Sequence, residues 1–220
     1  MKNGFAIFPD VFSSAELEDI ARELEHASIK RSRAGVRHLL RVSAIDSLAR
    51  DSRLVELAAD ILGGVPRPFG ATLFDKSANA NWLVSWHQDT ALPMAEKVET
   101  PGWGPWSEKD GVTYAHAPAA ALERVVALRL HLDDSTADNG PLRVLPETHT
   151  LGVLSDDAVF SQARQREVLH CAVARGGVLA MRPLLIHASS KVASNEPRRV
   201  IHIEYAAAVE LPPGLRLKCA

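Results

Sequence analysis

The stretch SWHQDTAL, residues 85 to 92, places a histidine and an aspartate two positions apart inside an apolar run. Because side chains alternate between the two faces of a strand, His87 and Asp89 share one face if this stretch is a strand. Together with a histidine from elsewhere, they can form a 2-His-1-carboxylate set, which leaves open coordination positions on non-haem Fe(II). The spacing therefore indicates a metal site. The competing interpretation is a chance pairing at the end of a surface strand.

The same spacing occurs elsewhere in the chain, so the triplet does not identify a site by itself. His131 and Asp133 repeat it, and His202 and Glu204 nearly repeat it. Asp133 opens the segment DDSTADNG, whose Asp, Asn and Gly content is typical of a turn, and this favours a role in shaping a loop. His202 and Glu204 stand in an apolar run, where a buried polar couple with a structural role is the alternative. Local context favours His87 without excluding the other two.

Composition and charge narrow the class of protein. The chain has 220 residues, of which 46% are hydrophobic and 24% charged, and this composition is typical of a soluble globular protein. Its net charge of -2 does not favour a nucleic-acid partner. No apolar stretch approaches the roughly 20 residues of a membrane span. Two cysteines, Cys171 and Cys219, are too few for a disulfide framework or a thiolate zinc site. We therefore expect a cytoplasmic protein that binds neither nucleic acid nor membrane.

The secondary structure that would position these residues is predicted to change from helices to strands near residue 64. Residues 13–27 and 52–64 carry apolar side chains at helical spacing, with a serine N-cap candidate before the first and a glycine pair after the second. Beyond them, short apolar runs alternate with Pro, Gly, Asp and Asn, which is typical of strands joined by turns. The sequence predicts one domain over residues 1–220, with a helical preface at about 1–64 and a β core at about 65–210.

Several motifs occur in a fixed order along the chain. WHQD is followed far downstream by LLIHASSKVASNEPRR, and LDDSTADNGPLRVLPETHTLG lies between them. GFAIFPDVFSSAELEDI opens the chain, and FDKSANANW precedes WHQD. Together these segments resemble the phytanoyl-CoA dioxygenase family of Fe(II)- and 2-oxoglutarate-dependent oxygenases, over most of the chain. Glu147 and Thr148 replace the Gly-Ser of the family's pattern, a departure that affects a turn and not a metal ligand.

The resemblance implies a fold, a metal centre and a reaction. The fold is expected to be mainly β with flanking helices, a double-stranded β-helix of the jelly-roll type. His87, Asp89 and His187 are expected to hold Fe(II), and His187 closes the apolar run RPLLIH. The expected co-substrates are 2-oxoglutarate and O2. The expected reaction hydroxylates an unactivated C-H bond of a small molecule and releases succinate and CO2.

The resemblance also implies a cationic anchor for the distal carboxylate of 2-oxoglutarate, about eleven residues after the last metal ligand. This count selects Arg198, and arginine suits the role because its planar fork makes two parallel hydrogen bonds to a carboxylate. Arg199 is held in reserve, because in a regular strand it shares a face with Ile201 and Ile203, whereas Arg198 shares the other face with His202 and Glu204. Either the face of Arg198 lines the interior, or an irregularity at Pro197 breaks the count. Ser189 and Lys76 are further candidates for the same pocket, with plain surface positions as the alternative.

The substrate is less well defined by the sequence. Residues 90–118 form a long, proline-rich segment directly after the metal strand, and Trp103 and Trp106 within it are candidate substrate contacts on a lid. A rigid loop that packs its tryptophans on the barrel is an equal alternative. Arg37, in a locally basic segment, is a candidate contact for an anionic substrate, although solvated surface charge is the simpler explanation.

Two other functions remain open at this level. One is a cupin-like metal enzyme that does not use 2-oxoglutarate, and the arginines of NEPRR argue against it. The other is a non-enzymatic sensor of metal or keto acid, and the complete ligand set argues against that. His116, His149 and His170 match no family motif, so we expect structural roles for them.

Overall fold

The computed structural model describes residues 1–27, 35–76, 82–191 and 196–219. No helix within these ranges is long and apolar enough to cross a membrane. The helices are α1 Ser14–His26, α2 Ser43–Ala49, α3 Ser52–Leu62, α4 Ala119–Leu122 and α5 Asp156–Gln165, with 3-10 turns at Leu39–Arg41 and Thr148–Leu151. The strands are β1 Phe5–Phe8, β2 Arg67–Lys76, β3 Val84–His87, β4 Ala91–Met94, β5 Trp106–Lys109, β6 Val112–His116, β7 Val125–His131, β8 Leu142–Val144, β9 Leu169–Cys171, β10 Val178–Met181, β11 His187–Ser189, β12 Arg198–Ala206, β13 Glu210–Leu211 and β14 Leu215–Arg216.

Both helices predicted before residue 64 are present. Ser13 caps α1, because its hydroxyl accepts the Glu16 backbone N-H at 3.4 Å while the Glu16 carboxylate accepts the Ser13 backbone N-H at 2.8 Å. This reciprocal pair satisfies two donors that a helix N-terminus otherwise leaves free. Asp51 caps α3, and Gly63 ends it with a φ of 74°, a left-handed conformation that favours glycine.

Two antiparallel sheets form the β core. The larger has the strand order β1-β10-β7-β12-β2, and the smaller has the order β3-β11-β8-β9. A separate three-stranded sheet has the order β4-β6-β5, and its strands follow β3 in the chain. These sheets form the expected double-stranded β-helix, with helices packed on the outer face of the larger sheet.

The predicted boundaries need two corrections. Phe5–Phe8 lies in the segment predicted to be helical, yet it pairs with β10 at the edge of the larger sheet. A four-residue apolar run is too short to show a strand period, so the sequence could not distinguish it from a loop. At the other end, β14 extends the strands to Arg216, beyond the predicted end of the core at about 210.

The larger sheet has one face toward the helices and one toward a cavity. Ile201, Ile203 and Tyr205 belong to the core that also contains buried leucines of α1 and α3. The Tyr205 hydroxyl donates to the Ala49 carbonyl at 2.9 Å, which joins the sheet to the end of α2. Because side chains alternate, the residues between these positions face the cavity.

Candidate active site

Strand pairing brings the three predicted metal ligands together. His187 on β11 lies directly opposite His87 on β3, and Asp89 follows β3 with its backbone N-H donated to the Pro183 carbonyl at 2.9 Å. The Nε2 atoms of His87 and His187 each lie 3.5 Å from a carboxylate oxygen of Asp89. Ligand atoms of all three residues lie within 4.8 Å of one another.

Backbone carbonyls orient both imidazoles. His87 Nδ1 lies 2.8 Å from the Ser85 carbonyl, and His187 Nδ1 lies 2.9 Å from the Leu185 carbonyl. A carbonyl oxygen can only accept, so each Nδ1 carries a hydrogen, and in the neutral imidazole Nε2 is the nitrogen that keeps its lone pair. This is the usual arrangement of metal-binding histidines. The donor set therefore fits a divalent iron ion.

The protonation states of Asp89 and His187 also suit a metal. Burial alone would raise the pKa of the Asp89 carboxyl, but His187 and His87 beside it hold that pKa well below its usual range. Burial lowers the pKa of His187 to about 4. The cluster therefore presents an ionised carboxylate and, at His187, a neutral imidazole, which are the forms that coordinate metals.

A cavity of about 300 Å³ adjoins this cluster, and buried cations line part of its wall. Arg198 lies opposite Lys76 across the β12-β2 pair. Lys76 Nζ donates to Ser189 Oγ and to the Ser190 carbonyl, both at 2.8 Å, and Arg198 Nε donates to the Asn139 carbonyl at 3.2 Å. The structure thus brings Arg198, Lys76 and Ser189 together on the cavity wall.

Arg199 occupies a different environment from Arg198. It lies on the other face of β12, where its Nε and one terminal nitrogen donate to the two oxygens of Asp133 at 2.9 and 2.8 Å. The Arg199 backbone N-H also donates to Asp133, at 2.8 Å. Arg199 is not among the residues that line the cavity. The alternation of β12 therefore separates the two arginines, and Arg198 is the one in the cavity wall.

Three further residues line the wall: Arg129, which sequence reasoning missed, and His202 and Glu204, for which it weighed a structural role. Arg129 donates to His202 Nδ1 at 3.1 Å, and both side chains are buried. Burial and the Arg129 charge lower the pKa of His202 to about 3, so this imidazole is neutral. The sequence does carry a signal for these residues, because polar residues alternate with apolar ones along β12. Its interpretation requires knowing which face the helices cover.

The structure does not bring the two tryptophans to the cavity. Trp103 is buried in an apolar cluster with Leu92 and Met94, and Trp106 packs against the same cluster. Neither lines the cavity, so the geometry corresponds to the packing alternative and not to a lid that contacts substrate. Arg37 does line the cavity, at an exposed position 3.9 Å from Asp110.

The other histidines and arginines considered above differ in whether they line the cavity. His116 lines the cavity and lies 2.7 Å from the Thr90 hydroxyl, whereas His149 and His170 lie elsewhere. Arg31 and Arg33, from the basic segment that contains Arg37, lie outside the described residues.

A double-stranded β-helix with a His-Asp-His cluster beside buried cations has the architecture of a non-haem iron oxygenase. Residues 1–200 match the family model described as phytanoyl-CoA dioxygenase (PhyH), and the chain belongs to this family. Family membership and the His-Asp-His cluster confirm the predicted class, an oxygenase that uses Fe(II), 2-oxoglutarate and O2.

Individual relatives share less than a third of their residues with this chain. The chain is 24% identical to L-proline trans-4-hydroxylase of Streptomyces griseoviridis, over 96% of this chain and 85% of the relative. It is 28% identical to ectoine dioxygenase of Halomonas elongata, over 69% of this chain and 44% of the relative. Its fold is similar to that of EctD from S. alaskensis, solved with 2-oxoglutarate and 5-hydroxyectoine, with a TM-score of 0.71, 18% identity, and coverage of 94% and 73% of the two chains. This last likeness confirms the predicted fold.

Proposed function

We propose that this oxygenase hydroxylates an unactivated C-H bond of a small molecule and converts 2-oxoglutarate to succinate and CO2. The observation that carries the proposal is the shared cavity, which has the His-Asp-His cluster on one wall and Arg198 with Lys76 on another. The name of the Streptomyces relative, a proline hydroxylase, supports hydroxylation of a small molecule.

In this proposal His87, Asp89 and His187 hold the iron. Three protein ligands on one side leave positions for the keto acid and for O2. When bound, the iron supplies the redox chemistry by which O2 oxidises the keto acid and the substrate. The chain fixes the ligand geometry, because the carbonyls of Ser85 and Leu185 prevent the two imidazoles from turning.

Arg198 binds the distal carboxylate of 2-oxoglutarate, with Lys76 and Ser189 beside it. No carboxylate of the described ranges lies within ion-pair distance of Arg198, Lys76 or Arg129, although all three are buried. Buried cations are unfavourable without a counter-charge, so this end of the cavity favours an anionic ligand. Arg37, at its exposed position on the cavity wall, is proposed to contact the substrate.

Turnover measurements test the proposal directly. Purified apoprotein supplied with Fe(II), O2 and 2-oxoglutarate should form succinate slowly, and faster when a metabolite pool contains the substrate. A product heavier by one oxygen should appear in step with succinate, and a chelator should stop both. Metal binding without succinate in any pool would contradict the proposal and would favour a sensor.

A further inference from the structure

The cavity wall formed by β2, β7 and β12 changes in charge along its length. Its inward-facing residues lie opposite one another in rows, and the row at one end pairs Arg198 with Lys76. In the row at the other end, Glu204 lies between Gly70 on β2 and Ala127 on β7. Residues 198 and 204 are separated by roughly 20 Å along an extended strand. One end of this wall is therefore cationic, whereas the other carries a carboxylate.

The Glu204 carboxylate has no partner within the part of the chain that the structure describes. It lines the cavity and makes no hydrogen bond or ion pair with residues of these ranges. Burial, followed by the negative charge of Asp89, raises the pKa of Glu204 to about 8. The Glu204 side chain is partly exposed and lines the cavity, and a carboxyl held there without a partner calls for an explanation. A group from outside the chain would complete it.

The strand opposite Glu204 leaves room for its carboxylate. A Cβ on Gly70 would lie 2.6 Å from Glu204 Oε2, so any side chain at this position would displace the carboxylate. Glycine weakens the interior of a strand and often marks a place where something else approaches closely. No positive φ requires glycine here. The glycine is therefore explained by the space that the Glu204 carboxylate occupies, which lets this carboxylate lie on the cavity wall.

The metal ligands line the same cavity as this wall. Asp89 acts electrostatically on His202 and on Glu204, which occupy adjacent inward positions on β12. Arg198 lies beyond His202 in the opposite direction. A molecule held by Glu204 therefore reaches the metal cluster from the side away from the proposed 2-oxoglutarate anchor.

We propose that Glu204 recognises the substrate of this oxygenase and that the substrate is a small organic cation whose protonated nitrogen pairs with the Glu204 carboxylate. This inference rests on the proposed function, because it names the substrate class of the same cavity. A protonated nitrogen supplies the missing charge together with hydrogen-bond donors, and an ionised carboxylate can only accept. The cavity of about 300 Å³ also has to hold 2-oxoglutarate, so the substrate is small.

Equilibrium binding of matched probes tests this inference. Wild-type protein loaded with Fe(II) and 2-oxoglutarate without oxygen is titrated calorimetrically with L-proline, L-pipecolate and piperidine, and with their N-acetyl forms, which lack the protonated nitrogen. We expect at least one amine to bind about 10- to 100-fold more tightly than its N-acetyl form, as for a charge-assisted hydrogen bond. Glu204→Gln keeps the shape and removes the charge, so this preference should disappear.

Glu210→Gln is the matched control, because Glu210 is exposed on β13 and does not line the cavity. The preference for the amine should persist in this variant. Absence of amine binding, equal binding of amines and N-acetyl forms, or an unchanged preference in Glu204→Gln overturns the inference. Loading with Fe(II) and 2-oxoglutarate is measured first in the same sample. Failure at that stage overturns the proposed function instead.

Discussion

Strands β3 and β7 each lead into a His-X-Asp pattern, but the two regions place it in different surroundings. At the end of β3, His87 lies opposite His187, and Asp89 lies within 3.5 Å of both imidazoles. At the end of β7, His131 lies opposite Val200, and Asp133 forms an ion pair with Arg199 at 2.8 Å. One pattern therefore forms part of a metal cluster, and the other joins a turn to a neighbouring strand.

The difference lies in the partner strand and not in the triplet. His131 Nδ1 lies 3.1 Å from the Arg129 carbonyl, much as His87 bonds to its own strand, so the local geometry is similar. Burial and the charges of Arg129 and Arg198 lower the pKa of His131 to about 3. A third ligand is present at β3 because β11 supplies a histidine in register. The neighbour of β7 supplies Val200 at that point, and the residue before it is the cation Arg199.

The largest effect is expected from the two aspartates. Asp89→Ala removes the carboxylate of the cluster, and we expect Fe(II) affinity to fall by more than about 100-fold, since loss of an outer-shell partner alone costs about 10- to 100-fold. Succinate formation should be lost with it. Asp133→Ala should retain Fe(II) binding and destabilise the fold by about 1–3 kcal/mol, because it leaves donors of Arg199 unpaired.

Metal titration and thermal unfolding of both variants separate these effects. The two aspartates differ in what they contact, so each variant serves as the control for the other. If Asp133→Ala were the variant that lost Fe(II) binding, the metal centre would include Asp133, and the assignment of Asp89 would be wrong.

The second largest effect is expected from the arginine pair on β12. Arg198→Ala leaves the distal carboxylate of 2-oxoglutarate without its partner, and breaking a buried charge pair costs about 3–5 kcal/mol. The affinity for 2-oxoglutarate should therefore fall by at least about 100-fold, while Fe(II) binding survives. Arg199→Ala should change this affinity several-fold at most, because Arg199 pairs with Asp133. Anaerobic titration of the charge-transfer absorbance measures both affinities.

A keto acid without the distal carboxylate is the control for this pair. In 2-oxopentanoate a methyl group replaces the distal carboxylate, so it should bind the wild type poorly. It should lose that disadvantage in Arg198→Ala. A loss of 2-oxoglutarate affinity in Arg199→Ala alone would show that the anchor lies on the other face of β12.

The arginine pair also shows how far the sequence leads. Alternation along β12 groups Arg198 with His202 and Glu204 from the residue order alone, but it does not say which group faces the cavity. That depends on helices α1–α3, which cover the face of Ile201 and Ile203 through contacts between residues far apart in the chain. The ordered motifs predict the grouping of His87, Asp89 and His187 because the family resemblance that they carry includes the segment with His187.

The tryptophans illustrate the opposite case. An aromatic loop next to a metal strand has the same sequence whether it covers a ligand or packs on a sheet. The burial of Trp103 depends on Leu211, Leu215 and Leu217 near the end of the chain, as well as on β4. No local pattern contains that information, so the sequence favours neither alternative over the other.

The smallest effect concerns Lys76, the buried cation beside Arg198. Burial, followed by the charges of Arg198 and Arg129, lowers the pKa of Lys76 from its ordinary value of 10.5 to about 7. Between these values the unfolded chain keeps a proton that the folded protein has released. Stability from this group therefore rises with pH across that window. Arg198 remains charged throughout, since arginine does not deprotonate in this range.

Lys76→Met removes this titration without removing the apolar stem. We expect Lys76→Met to be more stable than the wild type near pH 7 by an amount that decreases as pH rises, at up to about 1.4 kcal/mol per pH unit. Urea unfolding at pH 7, 8 and 9 measures this difference in stability. Burial raises the pKa of Cys171 to about 12, and these pH values stay below the range in which Cys171 contributes strongly. The same substitution at exposed Lys97 is the matched control. A difference between Lys76→Met and wild type that does not change with pH would show that Lys76 is charged throughout, and that its bonds to Ser189 and Ser190 already offset its burial.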